Sequence, residues 1–141
     1  MQVVSKYIYF KTKGKTDIID ITPQLQECLG LVELTQGNAT VFAIGSTTGI
    51  TTIEYEPGLV NQDIREIYEK IAPYGKDYKH NLTWGDDNGA AHLRSMLTGT
   101  SLTVPFDNGT FVLGTWQQVV FIDFDTRPRE RKVLIQFIGN K

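Results

Sequence analysis

The sequence predicts an α+β fold: one domain spanning residues 1–141, with one largely antiparallel sheet system and two to three helices. Three observations predict it. Short runs rich in β-branched and aromatic residues recur along the chain, bounded by Gly, Pro and Asn turn signals. Few stretches show the 3.6-residue spacing of an amphipathic helix. From Ser101 onward the chain reads as two successive hairpins. A length of 141 residues suits one domain of ordinary size.

Each element follows from its residues. Val4, Lys6, Ile8 and Phe10 share a face if residues 3–10 are extended. Ile18, Ile19 and Ile21 suggest a second, partnered strand, with Gly14 as the turn signal between them. Thr22-Pro23 opens a helix, with Thr22 as N-cap and Pro23 at the first helical position. That helix carries Leu25, Cys28 and Leu29, and Gly30 ends it. The run from Thr40 to Ile44 reads as a buried strand, and Ile50–Tyr55 is extended again after a Gly- and hydroxyl-rich loop.

Pro57-Gly58 is a turn, and Asn61 caps the clearest helix of the chain. Its residues Ile64, Ile67, Tyr68 and Ile71 fall at i, i+3, i+4 and i+7. Pro73 and Gly75 stop it, and residues 74–87 read as irregular. Asn88 to Leu97 reads as another helix, with Leu93, Met96 and Leu97 inward and Gly99 as its stop. Asn108-Gly109 marks a hairpin, because a type I′ turn needs two positive φ values. Gln117–Phe124 and Arg131–Ile138 read as a second hairpin around Thr126-Arg127-Pro128.

Composition narrows the function. The chain has 14 Lys and Arg against 16 Asp and Glu, a net charge of −2. General nucleic-acid binding needs a basic surplus to displace counterions, so no nucleic-acid partner is expected. Cys28 is the single cysteine, which excludes an internal disulfide. No charged and apolar leader opens the chain, and no run reaches the ~18 apolar residues of a membrane span. A cytoplasmic protein without a membrane partner is the expectation.

The densest polar cluster runs from Tyr78 to His92 and holds both histidines. Asp86, Asp87, Asn81 and Asn88 accompany them. Histidine titrates nearest neutrality and is the commonest metal ligand, so a loop with this composition can carry acid–base or ligating chemistry. The plain alternative is an ordinary polar loop in which Asp87 or Asn88 caps the next helix. Two histidines at this spacing match no metal signature.

Gly45-Ser46-Thr47-Thr48-Gly49 could offer backbone N–H groups and hydroxyls to an oxyanion. It lacks the lysine of a P-loop, and taken alone a β-turn with Thr-rich strand residues is the better reading. Glu54 and Glu56 share a face of the following strand, as a solvated strand end would. Trp116 suits either core or a flat stacking surface, and at most one of Gln117 and Gln118 enters a pocket. Arg127, Arg129 and Arg131 share a face if extended. They suit an anion, or a solvated hairpin tip that blunts an edge strand. Cys28 lies on an apolar helix face and reads as core.

Five motifs occur in order: Tyr78-Lys79-His80-Asn81, Asp87-Asn88-Gly89-x-x-His92, Ser101-Leu102-Thr103-Val104-Pro105, Leu113-Gly114-Thr115-Trp116-Gln117-Gln118 and Asp123-Phe124-Asp125. With them the chain, from about Tyr7 to Gly139, resembles the YjbQ family, whose members also carry the name secondary thiamine-phosphate synthase. The resemblance implies a single compact α+β domain with largely antiparallel β-sandwich or barrel-like sheets, a homotrimer, and polar clefts at subunit boundaries. It implies an enzyme that joins a hydroxymethylpyrimidine pyrophosphate to a thiazole phosphate and releases pyrophosphate. The alternative is a non-catalytic trimeric module that binds a small phosphorylated metabolite or a metal ion.

On that resemblance the catalytic residues are His80, His92, Asp87, Asn88 and Glu54, and the ligand-binding residues are Ser46, Thr47, Thr48, Asn81 and Gln117. His80 and His92 would be acid–base groups or ligands of a divalent metal, Zn or Mg. Asp87 would orient a histidine or hold Mg2+ on a pyrophosphate, and the Thr-rich loop would bind phosphate oxygens. Only Lys79 and Arg94 supply positive charge inside these motifs, unless a neighbouring subunit lends Arg127 or Arg129. Many family members carry a His-Thr-Thr pattern in the segment matching Gly45–Thr48. Ser46 stands at that His here, so a three-histidine metal site would be one ligand short, with Glu54 or a water in its place.

Overall fold

Alternation of side chains builds the first strand, β1 (Gln2–Thr12), which turns Ile8 and Thr12 inward and Tyr7 and Tyr9 outward. The computed structural model describes residues 1–141. The remaining strands are β2 (Asp17–Asp20), β3 (Gln36–Ala43), β4 (Thr48–Ile53), β5 (Ser101–Asp107), β6 (Thr110–Phe111), β7 (Gln118–Asp123) and β8 (Arg129–Asn140). The helices are α1 (Thr22–Val32), α2 (Ile64–Ile71), α3 (Lys79–Trp84) and α4 (Gly89–Thr98), with a π-helical turn at Leu59–Asp63 before α2.

The strands form two antiparallel sheets, one ordered β1-β8-β3-β5-β6 and the other β2-β7-β4. The main core lies between them. Val41, Val133, Ile135 and Phe137 of the larger sheet meet Ile50, Val119 and Phe121 of the smaller, and Leu25 and Leu29 of α1 join the same cluster. On its far face the smaller sheet packs Val120, Ile122 and Phe124 against Val60 and Ala91. This explains the nearly unbroken apolar run of β7, which is buried on both faces. Each such side chain contributes about 1.5–3 kcal/mol by leaving water. The predicted compact α+β sandwich is therefore what the chain adopts.

Several pairings differ from expectation. Ile18 and Ile19 do not pair back onto β1. At Gly14 the chain crosses to the other sheet, and β2 pairs with β7. Gly14 has φ +78°, and a Cβ there would lie 2.6 Å from the Arg127 carbonyl oxygen. The crossing thus needs glycine. Likewise β7 and β8 form no hairpin. β7 is the central strand of the smaller sheet and β8 an inner strand of the larger, so Arg131 blunts no edge. Asn108 and Gly109 do form the expected turn, at φ 49° and 70°.

The helices also deviate. Thr22 is already helical, and its first-turn N–H donates to Asp20 Oδ1 at 3.0 Å. Gly30 is passed, and α1 ends at Glu33 in the left-handed conformation. Asn61 lies within the π turn, whose start is held by the Glu56 carboxylate on the Gly58 and Leu59 N–H groups. The run 40–44 is one-sided, since Phe42 and Ile44 are exposed. Ile67 and Ile71 are exposed too, leaving Ile64 and Tyr68 to pack.

On α4 the buried face is Ala90, Ala91, Arg94 and Ser95, while Leu93, Met96 and Leu97 face outward. Small residues let the helix approach the sheet, and Arg94 is accommodated by bonding every edge of its guanidinium. It donates to the Ala72 carbonyl, Thr16 Oγ1 and Glu69 Oε2 at 2.9, 2.9 and 2.8 Å.

Candidate functional site

Two adjoining helices bring the histidines together. The α3 helix ends at Gly85, in the left-handed conformation, and α4 starts four residues later. Asn81 staples this turn. Its carbonyl accepts the Gly85 and Asp86 N–H groups, and its side-chain oxygen accepts the Gly89 N–H at 2.9 Å. His80 and His92 then face each other with ring centroids 4.3 Å apart and planes 55° apart.

The surroundings of the pair come from distant parts of the chain. Asn88 contacts His80 Nε2 at 3.1 Å and Asp125 Oδ1 at 3.3 Å. Asp86 Oδ2 lies 3.6 Å from His80 Nε2. Asp125 is 1% exposed. Burial pushes its carboxyl pKa upward, but donation from the Thr126 N–H, Arg129 and Asn88 outweighs that and holds it below the usual range. Arg129 reaches it at 2.7 Å and Thr47 at 3.4 Å. Arg131 is thus turned into this network, Arg129 joins it through Asp125 while staying exposed, and Arg127 is exposed too.

Burial lowers the His92 pKa, and the neighbouring His80 lowers it further. Asp125, Asp86 and a hydrogen bond with the Ser46 backbone oppose the fall. A ring biased toward neutrality at ordinary pH can accept a proton. The Ser46 loop therefore does reach the pair. Thr47 and Thr48 lie behind it, buried, with Thr47 accepting from Arg131 Nη2 at 2.8 Å and Thr48 donating to the Gly45 carbonyl.

A cavity of about 660 Å3 is lined by Asp86 and Asn81, neighbours of the pair, but by neither histidine. Lys15, Lys76 and Asp87 also line it. Asp87 accepts from Thr126 Oγ1 at 2.7 Å, which ties the α3–α4 turn to the β7–β8 loop. Lys15 arrives because its N–H donates to the Asp125 carbonyl at 2.6 Å, just after the Gly14 crossing. The sequence alone offered no signal for Lys15. Asp125 stood in a recognised motif but without a role.

Glu54 and Gln117 lie elsewhere. Thr48 pairs with Asp123 at the histidine end of β4, whereas Ile53 pairs with Gln118 at the other. Five residues of strand separate the two ends by about 17 Å. Gln117 donates to Thr52 Oγ1 at 3.0 Å beside a second, uncharged cavity of about 370 Å3. Glu54 is exposed just beyond β4. Trp116 is 72% exposed, and burial pushes the Cys28 thiol pKa up, as suits a packed rather than a reactive cysteine.

The histidine pair supplies two imidazoles, and no three His, Cys, Asp or Glu side chains converge where a metal ion could sit. A closed metal centre of those residue types does not fit this chain.

Comparison with known proteins agrees with the architecture. The family model for UPF0047 YjbQ-like proteins matches residues 6–140. A UPF0047 protein of Archaeoglobus fulgidus is 43% identical over 126 residues, covering 89% of this chain and 94% of its own. The UPF0047 protein YugU of Bacillus subtilis is 31% identical, covering 95% and 98%. The crystal structure of a YbjQ-like protein of unknown function from Sulfolobus solfataricus superposes with a TM-score of 0.92 at 29% identity, covering 99% of both chains. With motifs, fold and relatives all in agreement, the chain belongs to the YjbQ-like UPF0047 family.

Proposed function

We propose that the chain is an enzyme acting on a small phosphorylated substrate at the His80–His92 cleft, with thiamine-phosphate-synthase-type chemistry. In that reaction the thiazole nitrogen attacks the methylene carbon of the pyrimidine pyrophosphate. A C–N bond forms, the C–O bond breaks, and pyrophosphate leaves with its charge. The main catalytic need is to stabilise that leaving group.

The observation that carries the reading is the close pair of imidazoles, 4.3 Å apart, whose neighbours Asn81 and Asp86 line a cavity together with Lys15, Lys76, Asp77 and Asp87. The two lysines face the carboxylates of Asp77, Asp86 and Asp87 across the cavity and add to the positive charge of the motifs. His92, biased toward neutrality, is the acid–base group, and His80 is held by Asn88 and Asp86. Asp87, Asn81 and the Ser46 loop shape the cleft. Thr47 and Thr48 support that loop from behind.

A homotrimer is part of the proposal. The outer face of the larger sheet has no helix over it and exposes Tyr7, Tyr9, Phe42 and Ile138. Exposed apolar area of this kind marks an association surface. Leu82, Trp84 and Met96 are exposed on α3 and α4, the helices that carry the two histidines. That placement favours a cleft completed by a neighbouring subunit, which would let Glu54 and Gln117 of one copy approach the histidines of the next.

The test is formation of thiamin phosphate from the two phosphorylated halves, followed by His80→Gln and His92→Gln. Loss of turnover by about 100-fold or more in both is expected. Turnover that survives both substitutions contradicts the assignment. Pyrophosphate binding without any turnover selects the non-catalytic module.

A further inference from the structure

Each sheet leaves one stretch of strand edge unpaired, and both stretches meet one cavity. In the β3–β5 ladder the Ala43 N–H donates to the Thr100 carbonyl. Hydrogen-bonded pairs recur at every second residue, so Leu102 and Val104 give their backbone groups to β3. Those of Ser101 and Thr103, and the Pro105 carbonyl, point to the opposite edge. There β6 pairs only with Phe106 and Asp107, and one further bond runs from the Val112 N–H to the Pro105 carbonyl. The chain then turns away at Leu113, and Ser101 and Thr103 keep a free N–H and C=O each.

The same parity holds in the smaller sheet. The Phe124 N–H donates to the Thr47 carbonyl, so Gly49, Thr51 and Ile53 bond to β7 while Ile50 and Thr52 face away. The Ile50 N–H reaches the Gly99 carbonyl at 3.0 Å, whereas Thr52 has no backbone partner. Open edges are ordinarily blunted by charge, by proline or by a bulge. Here Pro105 sits where Val112 already covers the edge, and neither Thr48–Ile53 nor Ser101–Pro105 carries a charged residue.

Both open stretches line the cavity of about 370 Å3 beside Gln117, and none of its lining side chains is charged. The Ile50–Gly99 bond joins the edges at one end. At the other, Gln117 is fixed by the Gly114 N–H at 3.1 Å and by Thr52 Oγ1 at 3.0 Å. Ile50, Val112 and Leu113 add apolar surface. A free edge residue presents an N–H donor and a C=O acceptor side by side. Its complement is an acceptor beside an N–H donor on the rim of a flat molecule. An anion is a poor occupant, because it would lose water there with no cation in return.

We infer that this slot is a second binding site, for a flat, uncharged nitrogen heterocycle whose rim carries an N–H beside a carbonyl or a ring nitrogen. Thr103 reads that rim through its backbone, and Thr52 and the free hydroxyls of Thr51 and Ser101 surround it. The inference does not rest on the reaction proposed for the histidine cleft.

The test is uracil titrated into the 15N-labelled full chain. The control is 1,3-dimethyluracil, which keeps the ring and loses both N–H donors. Saturable amide shifts are expected at Thr52, Ser101, Thr103 and Gln117, with His80 and His92 unmoved. The dimethyl compound should bind at least about tenfold more weakly. Thr103→Pro removes only an N–H that gives β3 no bond, and should weaken uracil about tenfold. Thr103→Val keeps that N–H and should change the affinity little. No saturable shift at millimolar uracil, equal binding of the dimethyl compound, or shifts gathered at the histidines overturns the site. So do Thr52 and Thr103 amides already protected from solvent exchange without ligand, which would place a neighbouring copy's strand on the edge. The two uracils decide the matter on the parent protein even if Thr103→Pro does not fold.

Discussion

Arg131 on β8 grips Asp123 on β7 with two hydrogen bonds, of 2.7 and 2.9 Å, and so joins an inner strand of the larger sheet to the central strand of the smaller. Asp123 is fully buried and also accepts from Thr12 Oγ1 and from the Asp125 N–H. Arg131 continues to Thr47, behind the Ser46 loop that meets His92. The fold and the candidate site thus share one network. Arg131→Met strands the Asp123 charge in the interior and should cost about 3–5 kcal/mol in urea denaturation. Adding Asp123→Leu should recover most of that loss, because it removes the uncompensated charge.

Much of this architecture was legible in the residues. The Asn108-Gly109 turn, the apolar run of β7 and the opening of α1 at Thr22-Pro23 all carry their local cause. The partner of a strand does not. Ile18 and Ile19 look the same whether they pair with β1 or β7, and the choice is made by the Gly14 crossing and by packing of distant faces. The face of α4 misled for a related reason. Leu93, Met96 and Leu97 are the larger apolar residues, yet Ala90 and Ala91 permit the closer approach to the sheet. Arg94 then finds partners at the end of α2 and in the turn before β2.

The site divides in the same way. His80, Asn88 and His92 lie within one helix–turn–helix, so short spacing brings them together. Asp125 and Lys15 arrive through sheet topology. Glu54 and Gln117 lie at the far end of β4 because the strand runs away from the histidines after Thr48.

Burial pushes the Tyr74 phenol pKa above its ordinary value of 10.0. The folded chain therefore keeps this proton to higher pH than the unfolded chain does. The stability this contributes is full below about pH 10 and is lost as pH rises through the folded value. Melting temperature should hold near neutrality and fall in alkali. Tyr74→Phe loses the hydrogen bond to the Phe124 carbonyl, at 2.6 Å, and should cost about 1–2 kcal/mol at neutral pH. In return its alkaline decline should be shallower.

The Ser46 backbone acts on the His92 ring, raising its pKa against the effect of burial. Ser46→His should place a third imidazole beside the pair. Zinc affinity, followed by competition with a chromogenic chelator, should rise at least about tenfold. An unchanged affinity would show that the loop does not aim side chain 46 at the pair.

Tyr9 and Phe42 lie on the uncovered face of the larger sheet. A trimer closed through this face should lose mass when Tyr9→Glu and Phe42→Glu are combined, because buried carboxylates resist ionisation. Sedimentation should show three chain masses for the parent protein and one for the double variant. A parent that sediments as a monomer rejects the assembly.

The central claim is that the phosphorylated ligand enters at the histidines and not at the uncharged cavity beside Gln117. Inorganic pyrophosphate titrated into the 15N-labelled chain tests it most directly. The account predicts amide shifts at Lys15, His80, Gly85–Gly89 and His92. Shifts confined to Thr51, Thr52, Ser101–Thr103 and Gln117 would contradict it.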